Sequence, residues 1–194
     1  MGTTTVLDPA PMTMREFLRF VDEHEGRFEL VNGHPLAFAH PTKRHNRIVN
    51  ALHARIYAHV TPHGCDSYAS DILVAAGLNG RSPDIVVTCD ERDQVDAAGD
   101  EDARIVRYPK LIIEVLSETT AETDLGDKLA EYQQLASLEE YALLDSRRRW
   151  GRLYRRDPAG HFVFDADLVS GTLTLASIDL QVDLAQVYDA ARVG

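Results

Sequence analysis

Apolar and polar positions recur along this chain with periods that change several times, and each change marks a new element. Thr13 and Glu16 stand at capping-box spacing and Met12 and Phe17 at the spacing of a hydrophobic staple, so a helix is predicted from residue 13, closed by Gly26. Two short β-prone runs then flank Asn32-Gly33, a pair suited to a turn that needs positive φ twice, which predicts a hairpin. Ile48, Leu52 and Ile56, widened by Val49 and Val60, give the stripe of a second helix over 43–60, ended by Pro62 and Gly64. Strands are expected over 65–75, 83–88 and 110–117. A third helix is expected over 122–137, with Leu125, Leu129, Tyr132 and Ala136 on one face. A strand over 141–145, a hairpin of 150–156 with 162–169 around Pro158-Ala159-Gly160, and a short helix over 183–192 complete the pattern. The core order is helix, three strands, helix, strand (αβββαβ), an α/β arrangement with a mixed sheet flanked by helices. Residues 1–12 read as a flexible arm and 13–194 as a single domain.

The segment 110–117 is apolar on both alternating faces and so reads as a central strand, covered on both sides, yet Glu114 sits inside it. Burying an ionised carboxylate costs several kcal/mol unless it is paired, protonated or bound to a cation. An ion pair to a lysine or arginine, or a protonated glutamate, would satisfy it. Asp84, at the entrance of the apolar run 85–87, adds a second acid on the preceding strand, although Pro83-Asp84 alone is a common turn dipeptide. Two carboxylates brought together disfavour joint ionisation unless a cation intervenes, and hard oxygen donors suit Mg²⁺ or Mn²⁺. Lys128 follows on the next helix, beside its apolar face. It could meet a phosphate or the attacking water, or simply pair with Asp124 four residues earlier on an exposed surface.

Composition leaves the chemistry open. Hydrophobic residues make up 44% of the chain and charged residues 26%, ordinary for a globular protein. No apolar run reaches the roughly 20 residues of a membrane span, no secretory leader is evident, and Cys65 and Cys89 suggest neither a disulfide framework nor a zinc ribbon. A reducing, cytoplasmic setting is the expectation. The net charge of −11 opposes nucleic-acid binding at long range, but it is segregated. Seven acids crowd 90–102, whereas six arginines fall within 147–156 and Lys43, Arg44 and Arg47 form a smaller cluster. The arginine run could track a nucleic-acid backbone or be a charged hairpin face, and Trp150 within it could stack on a base or pack in the core.

With Pro83-Asp84, the Glu114-Val115-Leu116 stretch and Lys128 in place, the chain resembles the PD-(D/E)XK nuclease superfamily, and within it the Uma-type family of restriction-endonuclease-like proteins. Further likeness lies in 28–33, Arg44-His45, 81–84, 109–117, Asp124, Tyr132 and 140–145. The resemblance implies a restriction-endonuclease-like fold that hydrolyses phosphodiester bonds, with DNA the expected substrate and Mg²⁺ or Mn²⁺ the cofactor. Asp84 and Glu114 would be metal ligands, joined by the Val115 carbonyl, and Lys128 the catalytic lysine. The superfamily pattern places lysine two residues after the glutamate, where this chain has Leu116. Glu29 is a further acid candidate, unless it is a solvent-facing hairpin residue. Lys43, Arg44, His45 and Arg81 are candidate nucleic-acid contacts, and Tyr132 is expected in the core. A homodimer follows by analogy with enzymes that cut two strands. The competing functions are a catalytically inactive binding module, with Lys128 paired to Glu114, and a metal-dependent hydrolase of a small phosphorylated molecule.

Overall fold

The computed structural model describes residues 10–94, 101–118, 121–168 and 171–193. Most of the expected arm (residues 1–9), part of the acidic stretch (95–100) and the last residue of the expected strand 162–169 lie outside them. In chain order the elements are α1 (Met14–Glu23), β1 (Phe28–Val31), β2 (His34–Ala37), α2 (Lys43–Val60), β3 (Asp66–Ala69), β4 (Leu73–Ala76), β5 (Asn79–Arg81), β6 (Ile85–Thr88), β7 (Ile105–Val106) and β8 (Pro109–Leu116). They continue with α3 (Ala121–Leu125), α4 (Asp127–Tyr132), β9 (Glu140–Asp145), β10 (Gly151–Arg156), β11 (Phe162–Leu168), β12 (Thr172–Leu175), β13 (Leu180–Asp183) and α5 (Leu184–Ala191).

Local signals act where they stand. Thr13 and Glu16 exchange both capping-box bonds at the start of α1. Helix α1 ends at Glu23, earlier than Gly26 suggests, with His24 already extended. Asn32 and Gly33 take φ of 52° and 80°, the hairpin turn joining β1 and β2. Gly33 is required twice over, because a Cβ there would sit 2.4 Å from Pro11 Cβ.

Strands β11-β10-β9-β8-β6-β3 form a six-stranded sheet in which only the β8–β9 pair is parallel, its crossover supplied by α3 and α4. Strand β8 is central and buried almost throughout. Odd-numbered residues of β6 and β8 (Ile85, Val87, Leu111, Ile113, Val115) face α2, α5 and the β12–β13 hairpin. Even-numbered residues (Val86, Ile112, Leu116) face Tyr132 of α4 and the second sheet, ordered β2-β1-β5-β4-β7, through Val74 and Val106. By this alternation Glu114 belongs to the second face, while Asp84 stands just before β6, at the sheet end where the His45 ring of α2 reaches it.

Three expectations are overturned. Residues 65–75 are not one strand: Ser70 and Asp71 both take left-handed φ of about 60°, so β3 closes one edge of the six-stranded sheet and β4 joins the other sheet. The helix expected over 122–137 breaks at Gly126 (φ −115°, ψ −87°) into α3 and α4 and ends at Tyr132. Cys65 and Cys89 are disulfide-bonded rather than free. The β3–β6 register pairs Asp66 with Thr88, which sets residues 65 and 89 opposite each other across the ladder. Free thiols therefore give no argument for a reducing compartment. No described helix is long and apolar enough to cross a membrane.

Candidate active site

The even face of the central sheet would be apolar but for one end, where β1, β5, β6, β8 and the α3–α4 crossover bring charged side chains together. Glu114 lies between Ile112 and Leu116 and is 3% exposed. Its Oε1 accepts from Lys128 Nζ at 2.9 Å and from the Tyr132 hydroxyl at 3.4 Å, while Oε2 accepts from the Asp84 backbone N–H at 3.4 Å. The Asp84 main chain thus adjoins the Glu114 carboxylate, near enough for the two acids to act on each other. Asp84 Oδ2 accepts from the Val115 N–H at 2.7 Å and Oδ1 meets His45 Nε2 at 2.8 Å.

Lys128 is buried among carboxylates: besides Glu114, Asp124 Oδ1 lies at 3.1 Å and Glu29 Oε1 at 3.3 Å. The exposed Asp124–Lys128 pair is therefore ruled out, since both residues are inside the protein. Although Gly126 interrupts the helix, the two still meet, and Tyr141 fixes this turn by donating its hydroxyl to the Asp124 carbonyl at 3.0 Å. Glu29 is not the solvent-facing hairpin residue that its neighbours suggested. Phe28 and Leu30 pack towards α1, so Glu29 points to the opposite side. There it accepts from the Ser82 N–H and from Arg81, both at 3.0 Å.

Arg81 departs from its expected surface role. It is 1% exposed and its guanidinium is committed to Glu29 and Glu131, so it braces the acids rather than meeting a nucleic acid. His45 is likewise buried, its ring turned to Asp84. Lys43 and Arg44, on the same first turn of α2, are exposed. The run 147–156 is a charged hairpin surface: Arg147 and Arg148 bond Asp145, Arg149 bonds Asp189, Arg152 bonds Asp167, and Arg155 bonds Glu140 and Asp165. Arg156 donates to main-chain carbonyls, including those of Leu138 and Leu135. Trp150 packs against the core cluster with Arg148 and Arg152 over its ring.

Charge around Lys128 does not balance. Among the described residues Glu29, Glu114, Asp124 and Glu131 pair with two permanent cations, Arg81 and Lys128, and Asp84 joins the group through its N–H on Glu114 and its bond to His45. Burial, followed by Asp124 and Asp84, pushes the Glu114 carboxyl well above the ordinary carboxylate range, against the pull of Lys128. Burial would drive the Lys128 ammonium to lose its proton, but Glu114, Asp124 and Glu29 hold its pKa above the ordinary lysine range. Tyr132 is kept a hydroxyl by burial and by the same acids. Among the described residues no three His, Cys, Asp or Glu side chains are already gathered around one point as a metal cage. The donor chemistry nevertheless fits a hard divalent cation, because Asp84 and Glu114 offer carboxylate oxygens near enough to act on each other, in a cluster richer in acids than in permanent cations.

A family model described as "Uma2: Putative restriction endonuclease" matches residues 14–183, most of the chain and all of this cluster. The chain belongs to the Uma2 family. A Synechocystis relative, "Uncharacterized protein slr1290", is 27% identical over 179 residues, covering 91% of each chain. A second Synechocystis protein, sll1609, is 26% identical over 147 residues, covering 75% of this chain and 78% of its own. A solved structure from Anabaena variabilis, titled a putative nuclease belonging to DUF820, superposes with a TM-score of 0.74 at 20% identity, over 93% of this chain and 99% of the other. At that identity the superposition establishes the shared fold. In this Uma2 protein the Asp124–Lys128 pair was legible in the sequence but its burial was not, and sequence reasoning missed the parts played by Glu131 and Arg81. The last two depend on which strand lies beneath α4.

Proposed function

We propose that this Uma2-family chain is a divalent-metal-dependent endonuclease, with DNA as substrate, Mg²⁺ or Mn²⁺ as cofactor and 13–194 acting as one unit. The observation that carries the proposal is the buried excess of carboxylate around Lys128, at the point where Asp84 and Glu114 adjoin. Asp84 and Glu114 would hold the ion, with the Val115 carbonyl as the neighbouring backbone donor. When bound, the ion lowers the pKa of a coordinated water and offsets charge on the scissile phosphate.

The remaining work falls to this chain's own groups. Lys128 keeps its ammonium at the end of α4's reach, where strand position 116 is occupied by Leu116 buried in the core. It places positive charge beside the reacting phosphate and can orient the attacking water. Glu29 and Asp124 hold the ammonium in place, and Arg81 holds Glu29. Lys43 and Arg44 stand exposed on the same first turn of α2 as Asp84's partner His45, where they would meet flanking phosphates. Cutting both strands calls for two such sites, so a homodimer is part of the proposal; light scattering on the purified protein tests it.

Plasmid or oligonucleotide cleavage with Mg²⁺ or Mn²⁺ should disappear in Asp84→Ala and Glu114→Ala. Retained cleavage in either variant removes the mechanism. The direct Lys128–Glu114 bond favours a second reading, a binding module in which the lysine alone neutralises the glutamate. In that case Mn²⁺ would produce no heat on titration at millimolar concentration. Activity on nucleotides but not on polynucleotides would instead indicate a small phosphorylated substrate.

A further inference from the structure

We infer that His45 is a positioning residue for Asp84, fixing the plane of that carboxylate through its Nε2–H; this rests on the reading of Asp84 as a metal ligand. The ring comes from the third residue of α2, on the opposite layer of the sheet from Lys128. Thr42 caps the helix by accepting the His45 backbone N–H at 3.2 Å, and Ile48 and Leu52, wholly buried, anchor the following turns against the sheet. The imidazole is therefore held by its helix, not by its ligand.

Beside an ionised carboxylate Nε2 must carry a hydrogen, so the 2.8 Å contact is a donation to Asp84 Oδ1. Oδ2 is held at 2.7 Å by the Val115 N–H from the next strand. Each oxygen is thus fixed by one bond from a different element, and each keeps a second lone pair. Two bonds at opposite corners set the rotation of the carboxylate about its own axis, which a single bond could not do. A ligating carboxylate tuned by outer hydrogen bonds is a recurrent device in metal sites.

The burial of the ring argues that the donation matters. His45 is 7% exposed, and its Nδ1 is buried without a hydrogen-bond partner among the described residues. An apolar side chain would fill the same space without stranding a nitrogen. What the histidine adds is the bond to Asp84. The exposed Lys43 and Arg44 beside it remain free for phosphate, so the three neighbours divide into one inward and two outward roles.

Calorimetric Mn²⁺ titration of the full-length wild type, His45→Gln, His45→Asn and His45→Ala tests this. Gln can set its amide nitrogen near the place of Nε2, whereas Asn reaches only the place of Nδ1. The expected result is near-wild-type affinity for Gln and a loss of about 10–100-fold for Asn and Ala. Cleavage should follow suit, with kcat restored at saturating Mn²⁺ and KM for the oligonucleotide unchanged. Wild-type binding equalled by the Asn variant would overturn the inference while leaving the site reading intact, and so would a raised KM with unaltered Mn²⁺ affinity. Absence of Mn²⁺ binding in the wild type would remove both. Should His45→Ala fail to fold, the Gln and Asn pair carries the same decision.

Discussion

Two clusters of charge in this protein look alike in a sequence and differ in physics. Around Lys128, four acids share two permanent cations among the described residues, and Asp84 adjoins one of the four, Glu114. Along 147–156, arginines meet their acids and carbonyls nearly one for one at a partly solvated hairpin. The second cluster needs nothing further: its buried acids Asp145 and Glu140 already meet arginines, and its exposed pairs, Arg149–Asp189 and Arg152–Asp167, are typically worth about 0–1 kcal/mol. The first is unbalanced where water cannot compensate, and an unbalanced buried cluster is where a bound ion has work to do. The densest run of positive charge in the chain is thus the less informative of the two.

The largest effect expected is on cleavage. Asp84→Ala and Glu114→Ala should each lower it by more than the ~100-fold that outer hydrogen-bonding partners usually command, measured on supercoiled plasmid with Mn²⁺. Next comes Lys128→Met. It removes the ammonium that Glu114, Asp124 and Glu29 share inside the protein, so metal-free stability should fall by about 3–5 kcal/mol by denaturant titration. Added Mn²⁺ should recover more of that stability than it adds to the wild type, because the variant's cluster is more negative. Equal gains would mean that Mn²⁺ does not enter the cluster.

A smaller and opposite change is expected for Glu114→Gln in chelator-treated protein. The Glu114 carboxyl is pushed up on folding by burial first, then by Asp124 and Asp84. A raised folded-state pKa contributes stability that is complete below the ordinary carboxylate value and is lost as pH rises through the raised one. Glutamine mimics the protonated form, so the variant's Tm should exceed that of the wild type, with the gap widening from pH 4 upwards. A constant gap, or a lower Tm throughout, would show that Lys128 already balances Glu114. The smallest effect belongs to the other cluster: Arg152→Ala should change stability by no more than about 1 kcal/mol and leave cleavage unaltered. A large loss of cleavage there would reverse the comparison.

What the sequence disclosed follows the range of the interactions. The α1 cap, the Asn32-Gly33 turn and the apolar run of β8 are local, and each could be read in place. The nearness of Glu114 and Lys128 could also be read, because strand alternation and a following helix fix it to first order, and Asp84 at the entrance of the neighbouring strand falls beside them. The division of β3 from β4 could not, since nothing in 65–75 announces left-handed backbone at Ser70 and Asp71. Strand β5 was missed because Asn79-Gly80-Arg81 has no β-branched residue. The Cys65–Cys89 bond and the Arg81 clamp depend on pairing between strands, which the chain specifies only once folded.

Crystals soaked in Mn²⁺, with an anomalous difference map, test the central claim most directly. The expected map has a peak touching the carboxylates of both Asp84 and Glu114. A fully soaked crystal with no peak there, and Lys128 still the partner of Glu114, would contradict it.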